Sequence, residues 1–151
     1  MVKLGHHETK EQSMNDYIRR VQYHETDKMG ITHHSNYIKW MEEARIDFLN
    51  QLGFGYARLE REGIISPVVS IECEYKRPTT FDDEIRIKVE IVEFGRIKLV
   101  IKYTMINNST GDVAVIGKSS HCFVSPKGMP ISLKKQFPEL DEALRSLACE
   151  N

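Results

Sequence analysis

Tyr23-His24-Glu25-Thr26-Asp27-Lys28-Met29-Gly30-Ile31-Thr32-His33-His34-Ser35-Asn36-Tyr37 decides how this chain is read. It sets two carboxylates, a glycine and three imidazoles between the end of a strand and the start of a helix. On its N-terminal side, Tyr17 to Tyr23 alternates loosely and reads as a first strand. On its C-terminal side, Tyr37, Trp40, Met41, Ala44, Phe48, Leu49 and Leu52 follow at spacings of three, one, three, four, one and three and form a helical apolar stripe. Ser35 or Asn36 is expected to cap that helix, and Gly53 to stop it. Glu42, Glu43, Arg45 and Asp47 fall on its other faces.

Beyond the helix, Tyr56 to Glu62 reads as a short second one, ended by Gly63. The rest is mainly strand. Ile64 to Tyr75 is rich in β-branched residues. Ile85, Ile87, Val89 and Ile91 alternate cleanly, as do Ile97, Leu99, Ile101, Tyr103 and Met105. Phe94-Gly95-Arg96 fits a tight reversal and Asn107 to Asp112 a looser one. Val113 to Val124 is expected as a last long strand. A terminal helix follows, with Phe137, Leu140, Leu144 and Leu147 on one face. One long helix against five antiparallel strands is an α+β layout. Its open strand edges invite pairing with a second copy.

At 151 residues the chain suits one domain, over residues 17–151, behind a polar leader at 1–16 that is expected to be flexible. A net charge of -1 supplies no basic field, so no nucleic-acid partner is expected. No apolar run reaches the ~20 residues a membrane span needs, and residues 1–16 lack a signal-like apolar centre. A cytoplasmic location is the expectation. Cys73, Cys122 and Cys149 are odd in number and far apart, which suggests plain thiols rather than a disulfide framework. No CxxC pair or HExxH motif occurs, and no metal or other cofactor is expected. His6 and His7 have no further ligand nearby in sequence.

The chemistry gathers at the junction. Strand-to-helix junctions leave backbone N–H groups free to polarise a carbonyl oxygen. Asp27 beside such donors could attack an ester or thioester, or activate water against it. His34 could orient the acid or the water, and Tyr23 could donate a hydrogen bond. Asp27 could equally cap a turn at Gly30 and do nothing more. His121 and Cys122 are neighbours on a strand, so they face opposite ways and cannot form a dyad.

Three segments together resemble the hot-dog fold, in particular the 4-hydroxybenzoyl-CoA thioesterase-like branch of the acyl-CoA thioesterases. They are Val21 to Asp27 with Gly30, His34, Tyr37 and Ala44-Arg45; Tyr75-Lys76-Arg77-Pro78 with Phe81-Asp82-Asp83; and His121-Cys122-Phe123-Val124 with Gly128 and Pro130. The resemblance implies hydrolysis of acyl-CoA with Asp27 as catalytic carboxylate, joined by Tyr23 and His34, in a homodimer or homotetramer. Lys76 and Arg77, at a strand end, become candidates for the CoA phosphates; Arg96 and Lys98 are weaker ones. Glu25 stands where the pattern more often has aspartate. Met29 stands where a smaller residue is common, and would narrow the acyl site. Two rivals share the fold: a dehydratase or hydratase using Glu42 or Glu43 against a histidine across a dimer, and a silent acyl-CoA-binding protein.

Overall fold

The computed structural model describes residues 14–150. The expectations for His6, His7 and the leader up to residue 13 lie outside these residues, as does the Cys149 side chain. Alternating side chains give five strands: β1 (Tyr17–Arg20), β2 (Val68–Tyr75), β3 (Glu84–Phe94), β4 (Leu99–Asn107) and β5 (Val113–His121). They form one sheet in the order β1-β3-β4-β5-β2, every pair antiparallel. The long helix α1 (Ser35–Leu52) lies on the inner face, followed by the short α2 (Tyr56–Arg61). Two helices close the chain, α3 (Leu133–Gln136) and α4 (Pro138–Glu150). The architecture is the α+β hot-dog layout expected from the sequence.

The apolar stripe of α1 does what its spacing implies. Trp40, Met41, Ala44 and Phe48 are buried with Ile85, Ile87, Ile101, Met105 and Val115 from the strands. Close approach of helix to sheet needs Gly117 on β5: a Cβ there would stand 2.8 Å from the Met41 sulfur. Gly53 ends α1 with φ of 92°, a conformation costly to other residues. Leu140 and Leu144 of α4 complete the core. Met14 packs against this core, Asn15 bonds Gln51, and Asp16 pairs with Arg86 at 2.8 Å.

Several expected boundaries shift. The first strand ends at Arg20, not Tyr23, because the Glu25 side chain accepts the Gln22 N–H and folds Tyr23–Glu25 into a 3-10 turn. The second strand begins at Val68; before it, Pro67 has no N–H to donate and Ile65 makes only an isolated bridge to Val124. β5 likewise stops at His121. The terminal helix is two helices, since Pro138 cannot continue α3 but suits the first turn of α4. Neither Ser35 nor Asn36 caps α1. His34 occupies the cap position without a side-chain cap bond, and the Asn36 amide donates instead to the carbonyls of Glu25 (3.0 Å) and His33 (3.2 Å).

One buried chain of polar groups crosses the core. The Tyr103 hydroxyl meets Ser119 Oγ at 2.8 Å, and Ser119 Oγ meets His121 Nε2 at 2.7 Å. His121 is 1% exposed, and its Nδ1 has no hydrogen-bond partner among the described residues. Burial, aided by the Arg45 charge, pushes the imidazole down to about 4, the Pro67 carbonyl opposing this in part. The folded state therefore holds His121 neutral, while the unfolded chain takes up a proton near its ordinary value of 6.5. Stability should fall as pH drops from about 6.5 towards 4. Urea midpoints across that range should show His121→Gln with a shallower slope than wild type. Equal slopes would mean that other groups drive the acid sensitivity.

Candidate active site

The segment between β1 and α1 is built around Glu25, a carboxylate 4% exposed. Arg19 Nη1 donates to Oε1 at 2.6 Å, the Gln22 N–H donates to the same oxygen at 2.9 Å, and Trp40 Nε1 donates to Oε2 at 3.1 Å. These donors outweigh the effect of burial and hold the carboxyl below its usual value. Arg19 also donates to Glu43 at 2.8 Å and lies over the Trp40 ring. The Glu25 carbonyl accepts the His33 N–H at 2.8 Å. Glu25 thus ties β1, the loop and α1 at one point. No local signal revealed this; the pairing of Glu25 with an arginine six residues before and a tryptophan fifteen after needs the fold.

A second buried knot fixes the far side. Thr32 and Thr79 hydroxyls meet at 2.6 Å, the Thr32 N–H donates to the Thr79 carbonyl at 2.8 Å, and the Tyr37 hydroxyl meets Thr79 Oγ1 at 2.9 Å. Between the two knots the chain bridges Thr26 to Thr32 and turns at Asp27–Gly30, where Gly30 takes φ of 81°. The Gly30 N–H donates to the Asp27 carbonyl and the Asp27 N–H to the Ile31 carbonyl, both at 2.9 Å.

Asp27 is half-buried at this turn. One carboxylate oxygen accepts the Met29 N–H at 2.8 Å. The other has no partner among the described residues. His34 is exposed, stacked on His33 at 4.4 Å and edge-on to Tyr75 at 6.2 Å. Tyr23 is 76% exposed, its ring edge-on to Phe81 at 5.7 Å, and Met29 is equally exposed. No hydrogen bond joins Asp27, His34 and Tyr23 to one another among the described residues. Lys76 and Arg77 follow Tyr75 directly and are exposed; their N–H groups donate to the Ala114 carbonyl at 2.8 and 3.1 Å, and Lys76 pairs with Glu74. Tyr75 was missed as a neighbour of His34 because β2 and α1 meet only in the fold.

The helix start is less open than a bare N-terminus. The Asn36 and Tyr37 N–H groups donate to the carbonyls of His33 and His34, and the Ser35 N–H faces His33 Nδ1 at 3.3 Å. The His34 N–H has no partner among the described residues. Glu43 is held by Arg19 and by the Tyr17 hydroxyl at 3.1 Å, while Glu42 is exposed. Cys73 and Cys122 are free thiols. Among the described residues no group of three or more His, Cys, Asp or Glu could hold a metal ion, and no helix is long and apolar enough to cross a membrane.

Residues 21–146 match the model of the thioesterase-like superfamily. The chain belongs to that superfamily. A putative acyl-CoA thioesterase of Bacillus subtilis is 38% identical over 79% of this chain and 86% of its own length. The acyl-CoA thioester hydrolase YbgC of Shigella flexneri is 31% identical over 80% of this chain and 92% of its own. Among solved structures, the DHNA-CoA thioesterase of Staphylococcus aureus superposes with a TM-score of 0.84 at 33% identity, covering 89% of this chain and 91% of its own. The chain is therefore a hot-dog protein of the thioester hydrolase class, as its three motif segments imply.

If Glu25 fastens the junction, Glu25→Gln should cost about 3–5 kcal/mol, the usual loss on breaking a buried ion pair from one side. Urea denaturation measures this directly. A loss below about 1 kcal/mol would show the three donors to be dispensable.

Proposed function

We propose that this protein hydrolyses acyl-CoA thioesters to free acid and CoA, with Asp27 as the nucleophile or as the base that activates water. The observation that carries this is the state of the Asp27 carboxylate. One oxygen is fixed by the Met29 N–H, the other is unengaged among the described residues, and the group sits on a turn clamped from both sides in a chain of this superfamily. A fixed carboxylate with one oxygen available can either attack the thioester carbon or take a proton from an attacking water. The tetrahedral oxyanion needs a donor, and the unpartnered His34 N–H at the head of α1 suits it, assisted by the helix dipole. CoA leaves as a thiolate, so no strong general acid is required. The His34 ring serves to orient the acid or the water, and Tyr23 to donate a hydrogen bond. Lys76 and Arg77 meet the phosphates of CoA, and Met29 borders the acyl group.

A second copy of the chain completes the site in this reading, as a homodimer or homotetramer. Tyr23, Met29, Phe81 and Tyr75 are all about half or more exposed around the junction, and edge strand β2 carries exposed Val68, Val69 and Ile71. Apolar surface of this kind beside an unpaired strand edge favours association. The cytoplasm is the compartment that fits an acyl-CoA substrate and free thiols.

Asp27→Asn should lower kcat by roughly 10²–10⁴, with the urea midpoint unchanged. His34→Ala should lower kcat/KM by less and alter its pH profile, since it leaves the acid in place. A panel of acyl-CoAs from short to long, plus an aromatic one, supplies the assay; retention of more than about a tenth of wild-type kcat by Asp27→Asn sinks the assignment. Sedimentation velocity at micromolar concentration should give a species at least twice the 17.5 kDa chain mass. A profile of monomer alone would remove the shared-site part of the proposal.

A further inference from the structure

Arginines that are half-buried in this fold hold carboxylates. Arg19 grips Glu25 and Glu43, Arg58 grips Glu139, and Arg86 grips Asp16. Arg45 is the exception. It is half-buried on α1 and, among the described residues, makes no ion pair and no hydrogen bond. Burying a guanidinium without a partner is costly, and proteins rarely do so. Arg45 lines a cleft of about 230 Å³ between α1, α2 and the segment Ile64–Ser66. The same residue, with Leu49, Leu59 and Ser66, also borders a small pocket reaching the core at Phe48 and Leu140. The Ser66 hydroxyl, too, lacks a partner among the described residues. The Arg45 charge is near enough to the core to act on buried Tyr103 and His121. Two donors therefore lie unused in a cleft walled by Ile46, Leu49, Leu59 and Ile64. Glu42 and Glu60 stand at its mouth, but both are exposed and neither pairs with Arg45. Solvent and salt screen such charges far more than a half-buried one.

We propose that the cleft between α1 and α2 binds a small apolar carboxylate, its head held by Arg45 and Ser66 and its tail against Ile46, Leu49, Leu59 and Ile64. The volume sets the size. At roughly 30 Å³ per water-sized group, 230 Å³ takes about eight such groups, so the eight heavy atoms of a six-carbon acid fill it and an eight-carbon acid extends two atoms into the mouth. The carboxylate has two chemical sources. It can be a free acid, the class of molecule that thioester hydrolysis releases. It can also be the far carboxylate of an acyl group still attached to CoA, since Arg45 lies ten residues along α1 from Ser35, about 15 Å at 1.5 Å per residue. The second source rests on the thioesterase reading; the first does not.

The test uses the full chain and two probes, octanoate and 1-octanol, titrated by calorimetry at pH 7.5. Octanoate should bind one per chain, and 1-octanol at least tenfold more weakly. Arg45→Met should weaken octanoate roughly tenfold or more while leaving 1-octanol unchanged, as loss of a charge-assisted bond predicts. Leu59→Trp, which fills the cleft and keeps the charge, should abolish binding of both. Equal affinities for the two probes in wild type would overturn the proposal, as would octanoate affinity unchanged in Arg45→Met or, should that variant not fold, in Leu59→Trp. The source is read from kcat/KM on octanoyl-CoA and octanedioyl-CoA. A loss in Arg45→Met confined to the dicarboxylate assigns the site to the acyl group, and equal rates assign it to a free acid. Octanoate binding needs no turnover, so a protein that hydrolysed neither thioester would still decide whether the site exists.

Discussion

Glu25 is a carboxylate buried where water cannot reach it, and most of the junction follows from how its oxygens are satisfied. Arg19 comes from β1, the Gln22 N–H from the turn and the Trp40 indole from the second turn of α1. A lone carboxylate in that position would be several kcal/mol unfavourable. With three donors it is ionised, and each donor is pinned in return. The same residue's carbonyl collects the His33 N–H and the Asn36 amide. A residue between two elements thus orients both of them, and the chain from Thr26 to Thr32 is left to close a small loop on a fixed frame. An aspartate at position 25 would be one methylene shorter, too short to span these three groups without moving the turn.

The Thr32–Thr79–Tyr37 cluster performs the same task with neutral groups. It fastens the loop to the segment that follows β2, so Asp27 is framed by β1, α1 and the approach to β3 together. The frame is buried and polar. What it presents outward is the reverse: Tyr23, Met29, Phe81 and Tyr75 lie exposed around one half-buried carboxylate. Rigid support beneath an open apolar rim suits a group that must meet an incoming molecule without reorganising. The rim adjoins the edge strand β2, so whatever covers β2 also bears on Asp27.

Elsewhere the core shows how little freedom the sheet and helix leave each other. Gly117 lets Met41 approach β5, and Trp40 sits fully buried between the sheet and the Glu25 network. The chain Tyr103–Ser119–His121 carries polarity into the same core. It does so with neutral groups: burial pushes Tyr103 up to about 12 and His121 down to about 4. The charge acting on them belongs to Arg45, which among the described residues has the cleft rather than a carboxylate in front of it.

Periodicity alone determined the elements whose residues repeat over several turns or pleats. The α1 stripe from Tyr37 to Leu52, the alternation in β3 and β4, and the stop at Gly53 were legible because burial on one face forces a period, and a reversal forces a glycine. The strand-to-helix placement of Asp27 was legible for the same reason. Element ends were not. Val21 to Tyr23 left the strand, His121 ended β5 early and Pro138 split the last helix, because ends are set by which distant group satisfies a backbone N–H. The capping expected of Ser35 or Asn36 failed on the same ground: Asn36 found better acceptors in the carbonyls of Glu25 and His33. Only the tertiary structure could assign Glu25 to Arg19 and Trp40, bring Tyr75 beside His34, or leave Arg45 without a counter-ion among the described residues. These depend on contacts between residues far apart in sequence, and a one-dimensional pattern records spacing along the chain, not distance across it.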